Sequence, residues 1–367
     1  MKKSLIALAV LAASGASFAQ STVSIYGIVD AWFGTTDLKD HTGTSLKQTV
    51  LNSGGVSGSR FGFKGSEDLG GGLKANFVLE QGFNVDNGTA STAGAAFARQ
   101  SNVGFSGAFG EVKVGKAYTP FDDINGAADA VFDSALSPMN VVFLSTAYNA
   151  NPANTIYYAT PSFSGFTAAV SYSLGENKTN ATPAAGFTNG ASNVTAFNVQ
   201  YTGGPLYLAL AYQTEKRNNG VATDNEASKF TRLNATYDFG VAKALANFGR
   251  TAYNGHSAND WQLGADFPVS TALTLSGSYA SSKGDLIWAN GTTPTFGTGN
   301  SGANWAWSTN GNDIKRTGWG FGANYTLSKR TSIYGGYMAA KEDATAVTAG
   351  VPDAEIKYLA FGVKHTF

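Results

Sequence analysis

A two-residue rhythm runs through most of this 367-residue sequence and leaves few folds open to it. Val23, Ile25, Gly27, Val29, Ala31 and Phe33 share one face of an extended segment, and Ser24, Tyr26, Asp30 and Trp32 share the other, because successive side chains of a strand point to opposite sides. The alternation returns in "TAFNVQY" (Phe197, Val199, Tyr201), "LYLALAY" (Leu206, Leu208, Leu210), "WQLGADF" (Trp261, Leu263, Phe267), "LTLSGSY" and "WGFGANYTL" (Trp319, Phe321, Tyr325). Connections follow a second rhythm. "DLGGGL", "GAFGE", "PSFSGF", "TGGPL", "DFGVA", "FPVSTA" and "LSKRT" are short and built from turn residues. Between them lie longer polar stretches at 35–53, 84–96, 118–153, 175–192, 215–227, 251–259, 282–315 and 341–355. Seven short and eight long connections predict sixteen strands, with both ends of the barrel-forming chain on the short-turn side.

A soluble β-sandwich would alternate too, but it has no reason to sort its connections by length. A transmembrane β-barrel does: short turns at one rim, long loops at the other, an apolar band against lipid and a polar interior. Closure is what satisfies every strand edge inside hydrocarbon. The expectation is therefore an all-β fold, a 16-stranded antiparallel transmembrane β-barrel.

Composition agrees. Charged residues make up 14% of the chain, with 25 acids balancing 25 bases, so no basic excess points to a nucleic-acid partner. Aromatics reach 13%, Gly 45 and Pro only 9, a mixture suited to strands and turns. There is no cysteine, so stability must come from hydrogen-bonded pairing. At the start, Lys2 and Lys3 precede an apolar run from Leu5 to Ala13, then Ser17-Phe18-Ala19. This reads as a signal peptide over 1–19, with Gln20 the new N-terminus and 20–367 the barrel domain. The run falls short of the ~20 apolar residues of a membrane anchor. At the other end Leu359, Phe361, Val363 and Phe367 alternate with Ala360, Gly362, Lys364 and Thr366. If the last strand pairs with the first, these apolar side chains are its lipid face. The ending also resembles the aromatic terminal signature by which Gram-negative outer-membrane proteins are recognised for insertion, which makes Phe361, Val363 and Phe367 an expected assembly signal.

Several ordered motifs carry a wider resemblance: "SIYGIVDAWF", "SRFGFKGSEDLGGGLKANFVLEQGF", "ARQSNVGFSGAFGEVKVGK", "NTIYYATPSFSGFTAAVSYS" and the final "GVKHTF". Together they resemble the general, non-specific porins of Gram-negative, β-proteobacterial type. The resemblance implies a passive outer-membrane channel for ions and small hydrophilic solutes, a homotrimer, contact with lipid and with the outer-membrane assembly machinery, and a third external loop folded inward to narrow the pore. The fitting loop is "AYTPFDDINGAADAVFDSALSPMN", which carries Asp122, Asp123, Asp129 and Asp133. In a porin these acids face basic wall residues across the lumen; in an ordinary loop they are solvated surface.

Strand parity nominates the bases. Phe61 and Phe63 face lipid, so Arg60 and Lys64 face the interior, since a charge toward mid-bilayer lipid costs ~2–4 kcal/mol. Lys74, Lys113 and Arg232 come out inward by the same argument. Arg99 corresponds to a pore arginine of the family, yet simple alternation groups it with Val103 and Phe105 on the outer face. Either a bulge resets the parity or Arg99 sits at a rim or subunit contact. Relatives often carry an arginine where this chain has Tyr157, which leaves the sign of ion selectivity open. The expected constriction is thus Arg60, Lys64, Arg99, Lys113 and Arg232 against Asp122 and Asp123, and the loop 84–96 is expected to latch onto a neighbouring subunit.

Other signals weigh less. His41, His256 and His365 show no metal-ligand spacing. Gly318, Gly320 and Gly322 share one strand face and read as small interior residues rather than a phosphate-cradling loop. Asn-x-Thr triplets at Asn177 and Asn193 read as polar loop. No metal, cofactor or catalysis is expected, since an enzymatic barrel would need a Ser, His and acid or paired-carboxylate constellation. A non-conducting adhesin barrel remains the alternative.

Overall fold

The computed structural model describes residues 22–41, 43–175, 193–216, 227–289, 306–343 and 353–367. The expected signal peptide over 1–19 and the triplet beginning at Asn177 lie outside them. Among the described residues there are seventeen strands: β1 (Thr22–Lys39), β2 (Ser45–Ser53), β3 (Arg60–Gly70), β4 (Leu73–Gly82), β5 (Gln100–Gly107), β6 (Gly110–Lys116), β7 (Thr155–Ala159), β8 (Phe166–Ser173), β9 (Asn193–Gly203), β10 (Leu206–Lys216), β11 (Ala227–Asp238), β12 (Lys243–Tyr253), β13 (His256–Pro268), β14 (Leu273–Ala289), β15 (Ala306–Thr326), β16 (Thr331–Glu342) and β17 (Ala354–Thr366). Apart from β2 and β3, successive strands pair antiparallel, and β1 pairs with β17, so the sheet closes on itself. The seam runs to the last residue: Gly27 N–H donates to the Phe367 carbonyl and Phe367 N–H donates back to Gly27, both at 3.1 Å.

Sixteen staves emerge from seventeen segments because β2 and β3 lie end to end along β1. Residues 31–39 of β1 pair with β2 and residues 22–28 with β3. The gap, 54–59, is held by one buried carboxylate. Asp30 accepts the Gly55, Val56 and Ser57 amides at 3.0, 3.1 and 2.9 Å and the Tyr334 hydroxyl. A carboxylate out of bulk water is tolerable when its lone pairs are satisfied in this way.

All seven short turns stand where the sequence predicts them. The long connections are partly shorter than expected. Much of 35–53 is strand, in β1 and β2, and 251–259 is a tight hairpin in which Tyr253 faces His256 across Asn254 (φ 47°) and Gly255 (φ 80°). Positive φ at both central residues is what Asn-Gly supplies in a two-residue hairpin. The triplet at Asn193 opens β9 and is strand, not loop. Polar strands that extend past the apolar band read as loop in sequence because alternation loses its contrast there.

The two faces differ as the alternation requires. Val23, Ile25, Phe33, Phe61, Val103, Phe105, Phe197, Leu263, Phe321, Phe361, Val363 and Phe367 are exposed on the outside. Buried apolar clusters sit on the opposite face. There Phe121, Ile124, Val131, Leu136, Met139 and Val142, from the segment joining β6 to β7, pack onto Ala196, Ala209, Ala211, Ala280, Met338 and Ala340 of the wall. What core the protein has lies between that segment and the barrel.

Candidate functional site

The segment 117–154 is fastened to the wall by one polar side chain after another from successive staves. Asn198 of β9 donates to the Pro120 carbonyl at 2.7 Å, Asn234 of β11 to Ile124 and Asn247 of β12 to Ala128 at 2.7 Å. Gln262 of β13 donates to Asp129 at 2.8 Å, and Ser276 of β14 accepts the Val131 amide at 2.7 Å. Asp260 takes the Ser145 amide at 2.8 Å and Glu215 takes Asn149 at 2.6 Å. The Ala135 amide donates to Gly55 at 2.7 Å, tying the segment to the gap in the second stave. These bonds replace the regular ladder that the irregular segment lacks. On β15 the three glycines are interior, as the sequence suggests, and they lie against this segment: a Cβ on Gly320 would stand 2.2 Å from the Leu136 carbonyl oxygen.

Opposite this anchored side lies a basic patch. Arg60 and Lys64 share the inner face of β3, as parity requires. Glu80 of β4 joins them: its carboxylate takes Arg99 Nε at 2.8 Å, the Tyr26 hydroxyl at 2.9 Å and Arg60 Nε at 3.9 Å. Lys64 Nζ lies 5.0 Å from the centre of the Tyr26 ring. Arg99 is therefore on the inside. It stands one residue ahead of β5, where strand alternation has not yet begun, and its guanidinium lies 5.6 Å from the Tyr118 ring. Lys74 lies on the inner face of β4 with Asn76 and Glu80.

The acids divide into two pairs. Tyr148 donates to Asp122 at 2.6 Å and Tyr157 to Asp123 at 2.7 Å. Lys113 lies 4.2 Å from the Tyr157 ring centre and 3.4 Å from Glu111. Tyr157 thus occupies an inner position with a hydrogen bond to an acid in place of a cation. Burial pushes the Asp122 carboxyl up to about 7, the Tyr148 hydrogen bond opposes that, and neighbouring Asp123 reinforces it. Asp129 and Asp133 form the second pair, Asp129 buried and Asp133 at the exposed face of the segment; desolvation raises both, and the charge of Asp129 adds to the rise of Asp133. Arg232 faces inward as expected but is fully buried beneath the segment, where Nη2 donates to the Ser145 carbonyl at 3.2 Å and its hydroxyl at 3.0 Å between the Phe121 and Phe143 rings. It braces the segment and does not meet solvent.

Sequence reasoning missed Glu80, the organiser of the basic patch, and the amide row of Asn198, Asn234 and Asn247. A signal for the row existed, since each amide interrupts the inner face of its strand at a similar depth. Also unannounced are Val131, Phe132 and Asp133, with φ of 60°, 68° and 49°. Left-handed backbone is costly for such residues, and here Ser276, the Ser134 hydroxyl bonded to the Val131 carbonyl, and the packing of Val131 hold it.

A profile described as Gram-negative porin matches residues 5–345. The chain belongs to the Gram-negative porins. It is 38% identical over 284 residues to outer membrane porin protein 32 of Delftia acidovorans, covering 73% of this chain and 76% of that protein. To an outer membrane porin protein of Bordetella pertussis it is 32% identical, with all of both chains covered. Among solved structures, the anion-selective porin from Comamonas acidovorans superposes with a TM-score of 0.72 at 27% identity, covering 95% of this chain and 100% of that one. The protein is accordingly a multi-pass β-barrel of the Gram-negative outer membrane and a channel, not an enzyme.

Proposed function

We propose that segment 117–154 is a third external loop folded into the lumen, and that it narrows the channel to a weakly charge-selective constriction for ions and small hydrophilic solutes. The observation that carries this is the row of amides and carboxylates on β9 to β12 gripping the segment, across the barrel from Arg60, Lys64 and Arg99. Lys113, Asp122 and Asp123 complete the ring, and Arg232 supports it from behind. Selectivity then follows the excess charge on the path. Three cations against Glu80 leave the basic patch positive, and tyrosines bonded to Asp122 and Asp123 occupy the opposite side. The reading is therefore weak anion preference, in keeping with the similar anion-selective porin from Comamonas acidovorans.

Planar-bilayer recording tests it: stepwise conductance and an anion-directed reversal potential in a salt gradient are expected. Closed, well-folded protein would remove the channel reading of this loop, and a cation-directed potential would reverse the selectivity. A pH dependence follows from Asp122. Its carboxyl, raised to about 7, is neutral on the acid side and charged on the alkaline side. Anion preference should therefore strengthen from about pH 8 to about pH 6. An unchanged reversal potential over that interval would take Asp122 off the ion path.

The remaining assignments belong to the same reading. Residues 1–19 serve as the signal peptide, Phe361, Val363 and Phe367 address the chain to the assembly machinery, and three copies associate. The loop 84–96, exposed from residue 86 onward, forms the latch to a neighbour; cross-linking of detergent-extracted protein that yields only monomer would exclude it.

A further inference from the structure

Polar side chains of β9 to β14 grip the inward segment, but on the opposite wall, toward the long-loop side of the gap at 54–59, groups of the same kind grip nothing. Trp32 and Thr36 of β1 share the inner face there with Asn52 of β2 and Tyr358 of β17. Trp32 stands directly across from Asn52, and Thr36 from Tyr358. Asp86, near the base of the next long loop, joins them. All five line a hollow of about 410 Å³ that reaches Ala135 of the segment, a size within the ~300–1,000 Å³ of small-ligand sites. Among the described residues the side chains of Thr36, Asn52, Asp86 and Tyr358 make no hydrogen bond.

The hollow is held in shape by the fold. The Trp32 and Tyr358 rings lie 6.3 Å apart at 54°. Trp32, 5% exposed, packs on the Gly55 backbone, where a Cβ would stand 2.9 Å from Trp32 Cδ1. Gly55 in turn donates its amide to Asp30 and accepts the Ala135 amide. Rings and wall are thus set before a ligand arrives, which lowers the ordering cost of binding.

The lining selects the guest. Hydroxyls and an amide both donate and accept, and a carboxylate accepts from two hydroxyls at once. Aromatic faces are negative and attract the polarised C–H bonds on one face of a sugar ring. Among the described lining residues there is no Lys, Arg or His, so an anion drawn in by the basic patch finds no partner here.

We propose that this hollow binds a neutral saccharide, with a pyranose ring laid on Tyr358 beside Trp32 and its hydroxyls taken by Thr36, Asn52 and Asp86. A sugar entering from the long-loop side meets the hollow before the constriction, so the site would hold that solute at the mouth of an otherwise general channel. This consequence rests on the channel reading; binding itself does not.

Saturation-transfer NMR on the full chain tests the site without conductance, in an amine-oxide detergent that has no sugar headgroup to compete. The probe is methyl β-glucoside, and the comparison is sorbitol, which has the hydroxyls but no ring. The glucoside should bind about tenfold more tightly, since the open chain has no face to lay on the rings and must be frozen on binding. N52A, D86N and Y358A should each weaken glucoside binding about threefold or more. N52A and D86N remove no hydrogen bond of the fold, so the test survives if Y358A folds poorly. K329Q/R330Q, at the opposite rim, should bind as the wild type does. No transfer to the glucoside, equal binding of glucoside and sorbitol, or undiminished binding in N52A and D86N would overturn the proposal. So would a preference for glucosamine over the glucoside that D86N abolishes, which would mark a cation site instead.

Discussion

Replacing Arg60, Lys64 and Arg99 together with glutamine should turn the channel from anion- to cation-preferring. Two unit charges ~8 Å apart in water interact by about 0.5 kcal/mol. Three cations lost from the lumen wall therefore weaken the hold on a passing anion, and strengthen it on a cation, by about 1.5 kcal/mol each before screening. After salt takes somewhat more than half of the combined effect, the permeability ratio should still change by about tenfold. The variant leaves Glu80 facing the lumen without its two guanidinium partners, which adds to the reversal. Adding Glu80→Gln to the triple variant isolates that part: the potential should then move back toward zero but not to its original sign. Reversal potentials in a salt gradient measure both. An anion preference surviving in the quadruple variant would mean that ions pass the basic patch out of its reach, and the selectivity would have to come from residues such as Lys113.

The outer face was legible in the sequence because lipid tolerates so little. A single misplaced charge among Leu359, Phe361 and Val363 would be expensive, so the alternation there is clean, and the sixteen staves followed from it and the turns. The inner face is permissive, and there the sequence says less. An inward Asn247 looks the same whether water or the Ala128 carbonyl takes its hydrogen, and the contact spans 119 residues of chain. Arg99 escaped parity because the backbone before β5 is not a strand. Arg232 was correctly turned inward, but its burial depends on a segment roughly ninety residues earlier folding over it. The left-handed turn at Val131, Phe132 and Asp133 carries no Gly or Asn to announce it; tertiary contacts impose it. Likewise β2 and β3 were indistinguishable from a loop and a strand until Asp30 was seen to gather the amides between them.

The amide row gives the second large effect. N198A/N234A/N247A should free the segment from the wall and widen the channel, raising the passage of neutral sugars that the wild type excludes. Each substitution takes the donor from a buried carbonyl of Pro120, Ile124 or Ala128, at about 1–3 kcal/mol apiece where no replacement donor arrives. Lumen water can recover part of this, but only by entering between segment and wall, which is itself the detachment. The barrel should be unaffected, since every ladder bond of β9, β11 and β12 is made by backbone. Gly320→Val reaches the same end sterically: its Cβ would collide with the Leu136 carbonyl and lift the segment without removing any hydrogen bond. Liposome swelling with sugars of increasing size reads the result. If both variants fold, resist heat and detergent like the wild type, and still reject the same sugars, then the segment is not the size filter and the narrowing must lie elsewhere along the pore.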